Sequence, residues 1–238
     1  VFSPLAEEGT AFAHLYLCVF YAKGHGVSLC YCQALTWGQM SAGQGGAVAQ
    51  YNLGSMYEHG RGTPSDYSEA VKWYRKAADQ SFPPAQTNLG LMYQNGHGVK
   101  QDYAQAVKWY RHAAEQGYAD AQYHLGQMYR MGKGVQRDNK TAVKWYRHAA
   151  EQGYASAQYS LGLTYANGDG VQQDNKTAVK WYRRAADQGD AQAQNNLGVM
   201  YENGLGVKQD HAEAVKWYRK AANQGYAEAQ TSLGQMYE

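Results

Sequence analysis

The sequence has few prolines and cysteines, and it has no long hydrophobic run. Its 238 residues include 4 prolines and 3 cysteines. The mean hydropathy is −0.69, and the lack of a long apolar run excludes a transmembrane helix. An excess of one charge is also missing, because 22 basic and 20 acidic residues leave a net charge of +2. This balance gives no general attraction to nucleic acid or to anionic membranes.

The three cysteines, Cys18, Cys30 and Cys32, all lie near the start of the chain. A disulfide framework would place pairs of cysteines along the whole sequence, and this pattern does not. A local bridge from Cys18 to Cys30 or Cys32 stays open, although free thiols are favoured because a free cysteine often behaves as a small hydrophobic residue. A zinc site would need a fourth ligand, and none stands at a suitable spacing. We therefore expect no metal and no cofactor.

The sequence has instead a phrase that returns at a constant spacing. The letters AVKWYRKAADQ at 70–80 recur with few changes four more times. Each tryptophan also follows the previous one after 36 residues (37 to 73, 73 to 109, and so on). A constant period of this length is typical of a repeat array. The period predicts an N-terminal segment, a degenerate first repeat, five clear repeats and a partial seventh. These units are 1–10, 11–46, 47–82, 83–118, 119–154, 155–190, 191–226 and 227–238.

Each repeat contains two helical patterns joined by a glycine-rich turn. In 119–154, Ala121 and Leu125 stand at helical spacing and predict a first helix. Gly126 lies inside that helix at a cost of roughly 1 kcal/mol relative to alanine, and its recurrence indicates a close approach of two helices. Asp138 precedes the second pattern and is predicted to cap it. In three repeats the capping aspartate is followed by a predicted capping-box partner: Glu69, Gln105 and Glu213.

The recurring phrase is itself an amphipathic second helix. Trp73 and Tyr74 share one arc of this helix with alanines and a valine, while Lys72 and Arg75 lie on the opposite arc. We therefore predict that the tryptophans and the glycines of the first helices form the structural core of the repeats. These residues are Trp73, Trp109, Trp145, Trp181, Trp217, Gly54, Gly90, Gly126, Gly162 and Gly198.

The complete pattern, AQYxLGxMYxxGxGVxxDxxxAVKWYRxAAxQGY, resembles the Sel-1-like repeat, a relative of the tetratricopeptide repeat. The resemblance is carried by Leu125-Gly126, by Tyr129 and by the alanines of the second helix. The predicted fold is all-α, a right-handed α-α superhelix (solenoid) of helix-turn-helix repeats. The resemblance implies an adaptor or scaffold that binds other proteins, and it does not identify the partner.

The pattern changes at two places. Repeat one has Cys18 in place of the helix glycine and Gly38 in place of the tyrosine of the second helix. Further on, Ser81 replaces a glycine and Pro83-Pro84 follow it. We expect the packing and the curvature to differ at both places.

One face of the first helices varies between repeats while the core positions hardly change. In the tetratricopeptide relatives this face lines a concave groove, so the resemblance implies a groove that binds a protein or peptide. Tyrosines, small polar groups and charges of both signs suit such a groove. The alternative is a solvent-exposed face whose residues vary because no function constrains them. The predicted partner-binding residues are Tyr51, Ser55, Glu58, Leu91, Gln94, Tyr123, Gln127, Arg130, Tyr159, Leu163, Asn195, Val199 and Glu202.

A stripe of basic residues on the second helices, such as Lys72 and Arg75, offers a second candidate surface. Aligned basic clusters would suit RNA or another anionic surface. Acids four residues after four of the arginines, such as Asp79, partly neutralise the stripe, and the aromatic residues beside it face inward, where they cannot stack on bases. We therefore expect a solvated face, with nucleic-acid binding as the less favoured alternative.

The sequence contains no recognisable catalytic set. The GxG turns lack the third glycine of a dinucleotide fingerprint and the Gly-Lys-Ser/Thr of a P-loop, and no nucleophile is paired with a base. We therefore predict that the protein is not an enzyme. Some cysteine-rich members of the resembled family have been linked to β-lactam binding, which gives a binder of cell-wall fragments or β-lactams as a third hypothesis.

Oligomeric state and compartment are weakly indicated. We expect a monomer, although no sequence feature establishes the oligomeric state. The compartment stays open. A soluble protein of a bacterial cytoplasm or periplasm, or a secreted one, is favoured over a protein of a eukaryotic secretory lumen.

Overall fold

In a computed structural model that describes residues 9–25 and 28–236, these residues form 13 helices and no strand. The first helices of the repeats are α1 (Ala11–Lys23), α3 (Ala47–His59), α5 (Pro83–Asn95), α7 (Ala119–Met131), α9 (Ala155–Asn167), α11 (Ala191–Asn203) and α13 (Ala227–Gln235). The second helices are α2 (Tyr31–Gly43), α4 (Tyr67–Asp79), α6 (Tyr103–Glu115), α8 (Asn139–Glu151), α10 (Asn175–Asp187) and α12 (His211–Asn223). Most of the predicted N-terminal segment 1–10 and the end of the partial repeat 227–238 lie outside the described residues.

The chain divides into two compact units, Val1–Ala121 and Gln122–Glu238. The first unit holds α1 to α6, and the second holds α8 to α13 with most of α7. No helix in the described ranges is both long enough and apolar enough to cross a membrane.

The second helices of the five clear repeats begin at aspartate caps, as predicted. Asp66 Oδ1 accepts hydrogen bonds from the amides of Ser68 and Glu69, at 2.9 and 3.0 Å. The predicted capping box is wrong, because the Asp66 amide already donates to the Tyr57 carbonyl across the turn at 2.9 Å. The Glu69 side chain binds Lys72 instead. Equivalent caps are Asp102, Asp138, Asp174 and Asp210.

Two glycines in each turn have conformations or contacts that other residues would not tolerate. Gly60 ends α3 in the left-handed region, with φ 66° and ψ 33°, as expected for a helix C-cap. Gly62 also has a positive φ, 84°, and a Cβ atom there would lie 2.3 Å from the Tyr31 carbonyl oxygen of the preceding repeat. Gly98 and Tyr67 repeat this contact. The second glycine therefore lets consecutive repeats approach closely.

The aromatic residue at the centre of each repeat is the tyrosine that follows the tryptophan. Tyr74 is 0% exposed and packs where α3 has no side chain, because a Cβ atom on Gly54 would lie 2.8 Å from the Tyr74 ring. The sequence placed the tryptophans in the core, but the structure leaves Trp73 half-buried at its edge, because only the tyrosine points into the opening above the glycine. The outer face of Trp73 is covered by the Lys76 ammonium, 3.9 Å from the ring centre. Half-buried equivalents are Trp109, Trp145 and Trp181, whereas Trp217 is buried.

The two departures from the repeat pattern are accommodated locally. In repeat one the larger side chain, Cys18, lies on the first helix, and the glycine, Gly38, lies on the second helix. The two residues face each other, because a Cβ atom on Gly38 would lie 3.3 Å from Cys18 Sγ. Ser81 keeps the left-handed conformation of the glycine it replaces, with φ 61°. Pro83 begins α5, where its missing amide hydrogen costs nothing, and α5 has the same 13 residues as its equivalents.

Candidate partner-binding site

The predicted partner-binding residues occupy three positions of the first helices, spaced four and three residues apart. In α7 these positions hold Tyr123, Gln127 and Arg130, and this spacing keeps them on one side of the helix. We call the surface formed by all the predicted partner-binding residues the first-helix face.

In the second unit, part of the first-helix face forms a groove of about 210 Å³. Five predicted residues line it: Tyr123, Gln127 and Arg130 from α7, and Tyr159 and Leu163 from α9. We call it the α7–α9 groove. The other lining residues are Ser156, Ser160 and Thr164 of α9, Asp169 in the following turn, and Asp190 and Gln192 at the start of α11.

The α7 wall of this groove is ordered by a chain of hydrogen bonds. The Arg130 guanidinium donates to Gln127 Oε1 at 3.2 Å, and Gln127 Nε2 donates to the Tyr123 hydroxyl at 2.6 Å. The Tyr123 ring also contacts Tyr146 and Tyr154, with ring centres 6.0 and 5.4 Å away. These contacts hold the wall in one arrangement before any ligand arrives.

The α9 wall has a different aromatic environment. Tyr159 contacts the ring of Tyr182 at 6.0 Å, and burial raises its pKa, with smaller contributions from Tyr226 and Asp190. Asp190 stands at the repeat position of Tyr154, the ring that packs on Tyr123. The Asp190 side chain caps α11 by accepting from the Ala193 amide at 2.8 Å. A carboxylate therefore replaces an aromatic ring at this end of the groove.

The groove carries charges of both signs. Arg130 lies in the last turn of α7, and Asp190 lies at the start of α11. Successive first helices run in the same direction, because each is followed by an antiparallel second helix, so these two charges lie near opposite ends of the groove. Asp169 adds a second, exposed acid in the turn after α9.

In the first unit, two predicted partner-binding residues accept hydrogen bonds from buried tyrosine hydroxyls. Glu58 accepts a hydrogen bond from the buried Tyr74 hydroxyl at 2.5 Å, and Gln94 accepts one from Tyr110 at 2.9 Å. Burial raises the pKa of Tyr51, and the Glu58 carboxylate raises it further. The remaining predicted residues of this unit, Ser55 and Leu91, are half-buried.

At the C-terminal end of the face, three predicted residues offer less surface than expected. Asn195 is only 9% exposed, so its assignment to an accessible face is corrected. Val199 packs against the cluster around Tyr218, and the Glu202 carboxylate accepts a hydrogen bond from the Tyr218 hydroxyl at 2.6 Å.

The sequence analysis missed a ladder of glutamines that joins consecutive repeats. Gln158 Nε2 donates to the Ala150 carbonyl at 3.0 Å, and Gln158 Oε1 accepts from Gln188 Nε2 at 2.7 Å. In repeat one His14 takes the glutamine position, with Nδ1 3.2 Å from Gln44 Nε2. Equivalent glutamine pairs are Gln50–Gln80, Gln86–Gln116, Gln122–Gln152 and Gln194–Gln224. The invariance of both glutamines among the clear repeats was the available signal.

Three arginines of the basic stripe donate hydrogen bonds to tyrosine hydroxyls. Arg75 donates to the Tyr93 hydroxyl at 2.5 Å, and Arg147 donates to Tyr165 at 2.7 Å. A third pair is Arg183 and Tyr201. Each bond joins a second helix to the next first helix, so these arginines have a structural task and are less available to a phosphate backbone.

The cysteines and metal-binding side chains form no site within the described ranges. Cys18 is buried, Cys30 half-buried and Cys32 exposed, and all three are free thiols. Burial raises the pKa of Cys18 to about 11, so its thiol stays protonated. No group of three or more His, Cys, Asp or Glu residues in this part of the chain is arranged to hold a metal.

Comparison with solved structures shows two close relatives, whereas no curated protein sequence matches the chain. The first is c5321, a protective antigen present in uropathogenic Escherichia coli strains displaying an SLR fold. It is 42% identical with a TM-score of 0.93, over 99% of this chain and 51% of that one. The chain therefore spans about half the length of that structure. The second, a Sel1 repeat protein from Oxalobacter formigenes, is 36% identical with a TM-score of 0.84, over 94% of this chain and 88% of that one.

The family model of the Sel1 repeat matches five consecutive stretches: 47–82, 83–118, 119–154, 155–190 and 191–226. The all-α repeat fold predicted from the sequence is thereby confirmed. Sel1-repeat proteins generally mediate protein–protein interaction and are typically non-catalytic scaffolds. From its five matched repeats and its likeness to these two structures, the chain belongs to the Sel1 repeat family.

Proposed function

We propose that this protein is an interaction scaffold that binds an extended peptide or a protein segment along the first-helix face, taken as the concave side of the array. The observation that carries this proposal is the α7–α9 groove, where five residues chosen from sequence variation line one depression. The repeat geometry makes these positions neighbours, and the support for binding comes from the residue types that fill them.

The groove has the chemistry of a protein-recognition surface. Tyr123 and Tyr159 are half-buried, so each presents part of an aromatic ring that is already held by its neighbours. Such rigid aromatic anchors carry a large share of the energy at interfaces. Leu163 adds apolar surface one turn after Tyr159, and the surrounding serines and glutamines offer hydrogen bonds.

The size of the groove favours a peptide over a small metabolite. Pockets for small molecules usually enclose about 300–1,000 Å³, whereas this groove holds about 210 Å³. That volume accommodates one or two side chains of a longer segment. The rest of the segment would then contact the neighbouring first helices.

The proposal is tested by capturing partners from a lysate of the source organism at low and moderate salt. The Tyr123→Ala/Tyr159→Ala variant removes both anchors, and Tyr67→Ala removes a tyrosine that is 40% exposed on a second helix. We expect proteins that stay bound at moderate salt, are lost with the double variant and are kept by Tyr67→Ala. The captured segment is then titrated into the purified variants by calorimetry.

Two results would contradict the proposal. One is capture of the same proteins by the double variant when circular dichroism shows that it is folded. The other is bound nucleic acid that salt removes and that ignores the tyrosines, because phosphate contacts weaken steeply with salt.

A further inference from the structure

Each clear repeat buries one tyrosine hydroxyl, which needs a hydrogen-bond acceptor because a buried donor without a partner is costly. In three repeats the acceptor comes from the last turn of the first helix, sixteen residues earlier. The pairs are Tyr74–Glu58 at 2.5 Å, Tyr110–Gln94 at 2.9 Å and Tyr218–Glu202 at 2.6 Å.

Repeat four lacks this acceptor. Its equivalent position holds Arg130, and a guanidinium only donates hydrogen bonds. Tyr146 is 0% exposed, and the hydrogen of its hydroxyl has no acceptor. The following first helix offers little help, because the position that holds Asn88 beside Tyr74 holds the shorter Ser160 here.

A buried hydroxyl whose hydrogen has no acceptor therefore lies close to a guanidinium that lines the Arg130 end of the α7–α9 groove. Burial raises the pKa of the Tyr146 hydroxyl to about 12, while the charge of Arg130 and a hydrogen bond that the guanidinium donates to the hydroxyl oxygen lower it. The hydroxyl consequently keeps its proton at neutral pH. Among the described residues the guanidinium binds Gln127 and forms no ion pair with a carboxylate.

We propose that this place binds a carboxylate of the partner, with Arg130 and the Tyr146 hydroxyl as its donors. The carboxylate takes the position that the Glu58 and Glu202 carboxylates occupy in their own repeats. Pairing a guanidinium with a carboxylate gives a charge-assisted bond, and the hydroxyl gains the acceptor that it lacks. The inference rests on the proposed function, because it assigns the chemistry of one residue of the bound segment.

The other charges of the groove limit the choice of ligand. Asp190 lies at the far end, whereas Asp169 lies in the exposed turn after α9, which is at the same end as Arg130. These acids oppose polyanions such as nucleic acid, and they favour a segment with a single carboxylate followed by neutral or basic residues. The carboxylate comes from an acidic side chain or from a chain terminus.

Small carboxylates test the subsite without any knowledge of the partner. N-acetylglutamate α-amide presents a side-chain carboxylate, and N-acetylalanine presents a terminal one. Their neutral counterparts are N-acetylglutamine amide and N-acetylalanine amide. In nuclear magnetic resonance titrations we expect the Arg130 Nε–H signal to shift with a carboxylate and to stay in place with either amide. The acid that binds more tightly shows whether the partner's carboxylate comes from an acidic side chain or from a chain terminus.

Two variants separate binding from folding. Arg130→Gln rebuilds the Gln94 arrangement, so it supplies the missing acceptor and is expected to fold. It should weaken carboxylate binding about tenfold or more, as expected for a hydrogen bond to a charged group. Tyr146→Phe should weaken it less, and Lys144→Gln, which removes an exposed charge of α8 outside the groove, should leave it unchanged.

The inference is overturned if carboxylates and amides give the same shifts, or if Arg130→Gln binds the acids as well as the native chain does. These failures differ from failure of the proposed function. If a captured partner depends on Tyr123 and Tyr159 but not on Arg130, the groove is supported as the binding site and the carboxylate subsite is contradicted. If the acids bind at Arg130 and no partner depends on the tyrosines, the scaffold proposal falls.

Discussion

The buried tyrosine hydroxyls provide a matched pair for testing this account of the repeat interior. Tyr74→Phe removes a hydroxyl that donates to the Glu58 carboxylate at 2.5 Å. Tyr146→Phe removes the same atom from the same repeat position, but this hydroxyl has no acceptor for its hydrogen. Both rings are 0% exposed, so the loss of volume and the burial of the ring are the same in the two variants.

The expected magnitudes differ because only Tyr74→Phe removes a hydrogen bond that the hydroxyl donates. A hydrogen bond to a charged group contributes about 1.5–3 kcal/mol, and we expect Tyr74→Phe to lower the free energy of unfolding by about 2 kcal/mol. Removing a buried hydroxyl whose hydrogen has no acceptor is nearly neutral or stabilising. Without ligand, Tyr146→Phe should therefore leave the stability unchanged or raise it slightly.

The assay combines urea unfolding, followed by circular dichroism, with amide hydrogen exchange. Exchange is needed because repeat proteins open locally and one global value averages the repeats. Tyr74→Phe should speed exchange in α3 and α4, whereas Tyr146→Phe should leave α7 and α8 unchanged. Equal losses in both variants would refute the reasoning, since they would show that the hydroxyl contributes the same with and without its acceptor.

Three further experiments test the close contacts, the strained turn and the buried thiol. Gly162→Ala places a methyl group 2.6 Å from a tyrosine ring atom and should cost about 1–3 kcal/mol of stability, as measured by urea unfolding. Gly234→Ala, at the same repeat position with nothing within 4 Å, should be neutral or stabilise by up to about 1 kcal/mol. Ser81→Gly should raise the melting temperature, because the left-handed conformation costs a non-glycine residue about 1–2 kcal/mol and greater freedom of the unfolded chain offsets only part of that. At pH 8, iodoacetamide should label the exposed Cys32 in the folded protein and Cys18 only after unfolding, as read by mass spectrometry, because burial raises the pKa of Cys18 to about 11 and the thiolate is the reactive form.

Each of these expectations has a clear opposite. Equal effects at Gly162 and Gly234 would mean that the tyrosine ring moves aside at no cost. A lower melting temperature for Ser81→Gly would mean that the serine side chain contributes more than the strain removes. Rapid labelling of Cys18 in the folded state would show that the first repeat opens to solvent.

The sequence alone was sufficient for features that depend on residues within one turn or one helix. The period predicted the helix pairs, and each capping aspartate binds amides two or three residues away. The turn glycines took the conformations that their positions required. These features are local, so residue order carries them and repetition strengthens the signal.

The groove was foreseen only in part. Variation between repeats selected Tyr123, Gln127 and Arg130, which do line one groove with Tyr159. The same criterion also selected Asn195, which is 9% exposed, because variation does not measure exposure.

Only the tertiary structure decided which atoms meet across helices. Trp73 and Tyr74 share one arc of the helical wheel, yet only the tyrosine reaches the space left by Gly54. The capping-box prediction failed because the Asp66 amide was already bonded to the preceding helix. The missing acceptor of Tyr146 became visible only beside the filled positions in other repeats. Hydrogen bonds and ring contacts act over a few ångströms in space, so residues sixteen positions apart acquire their roles only when two helices are packed together.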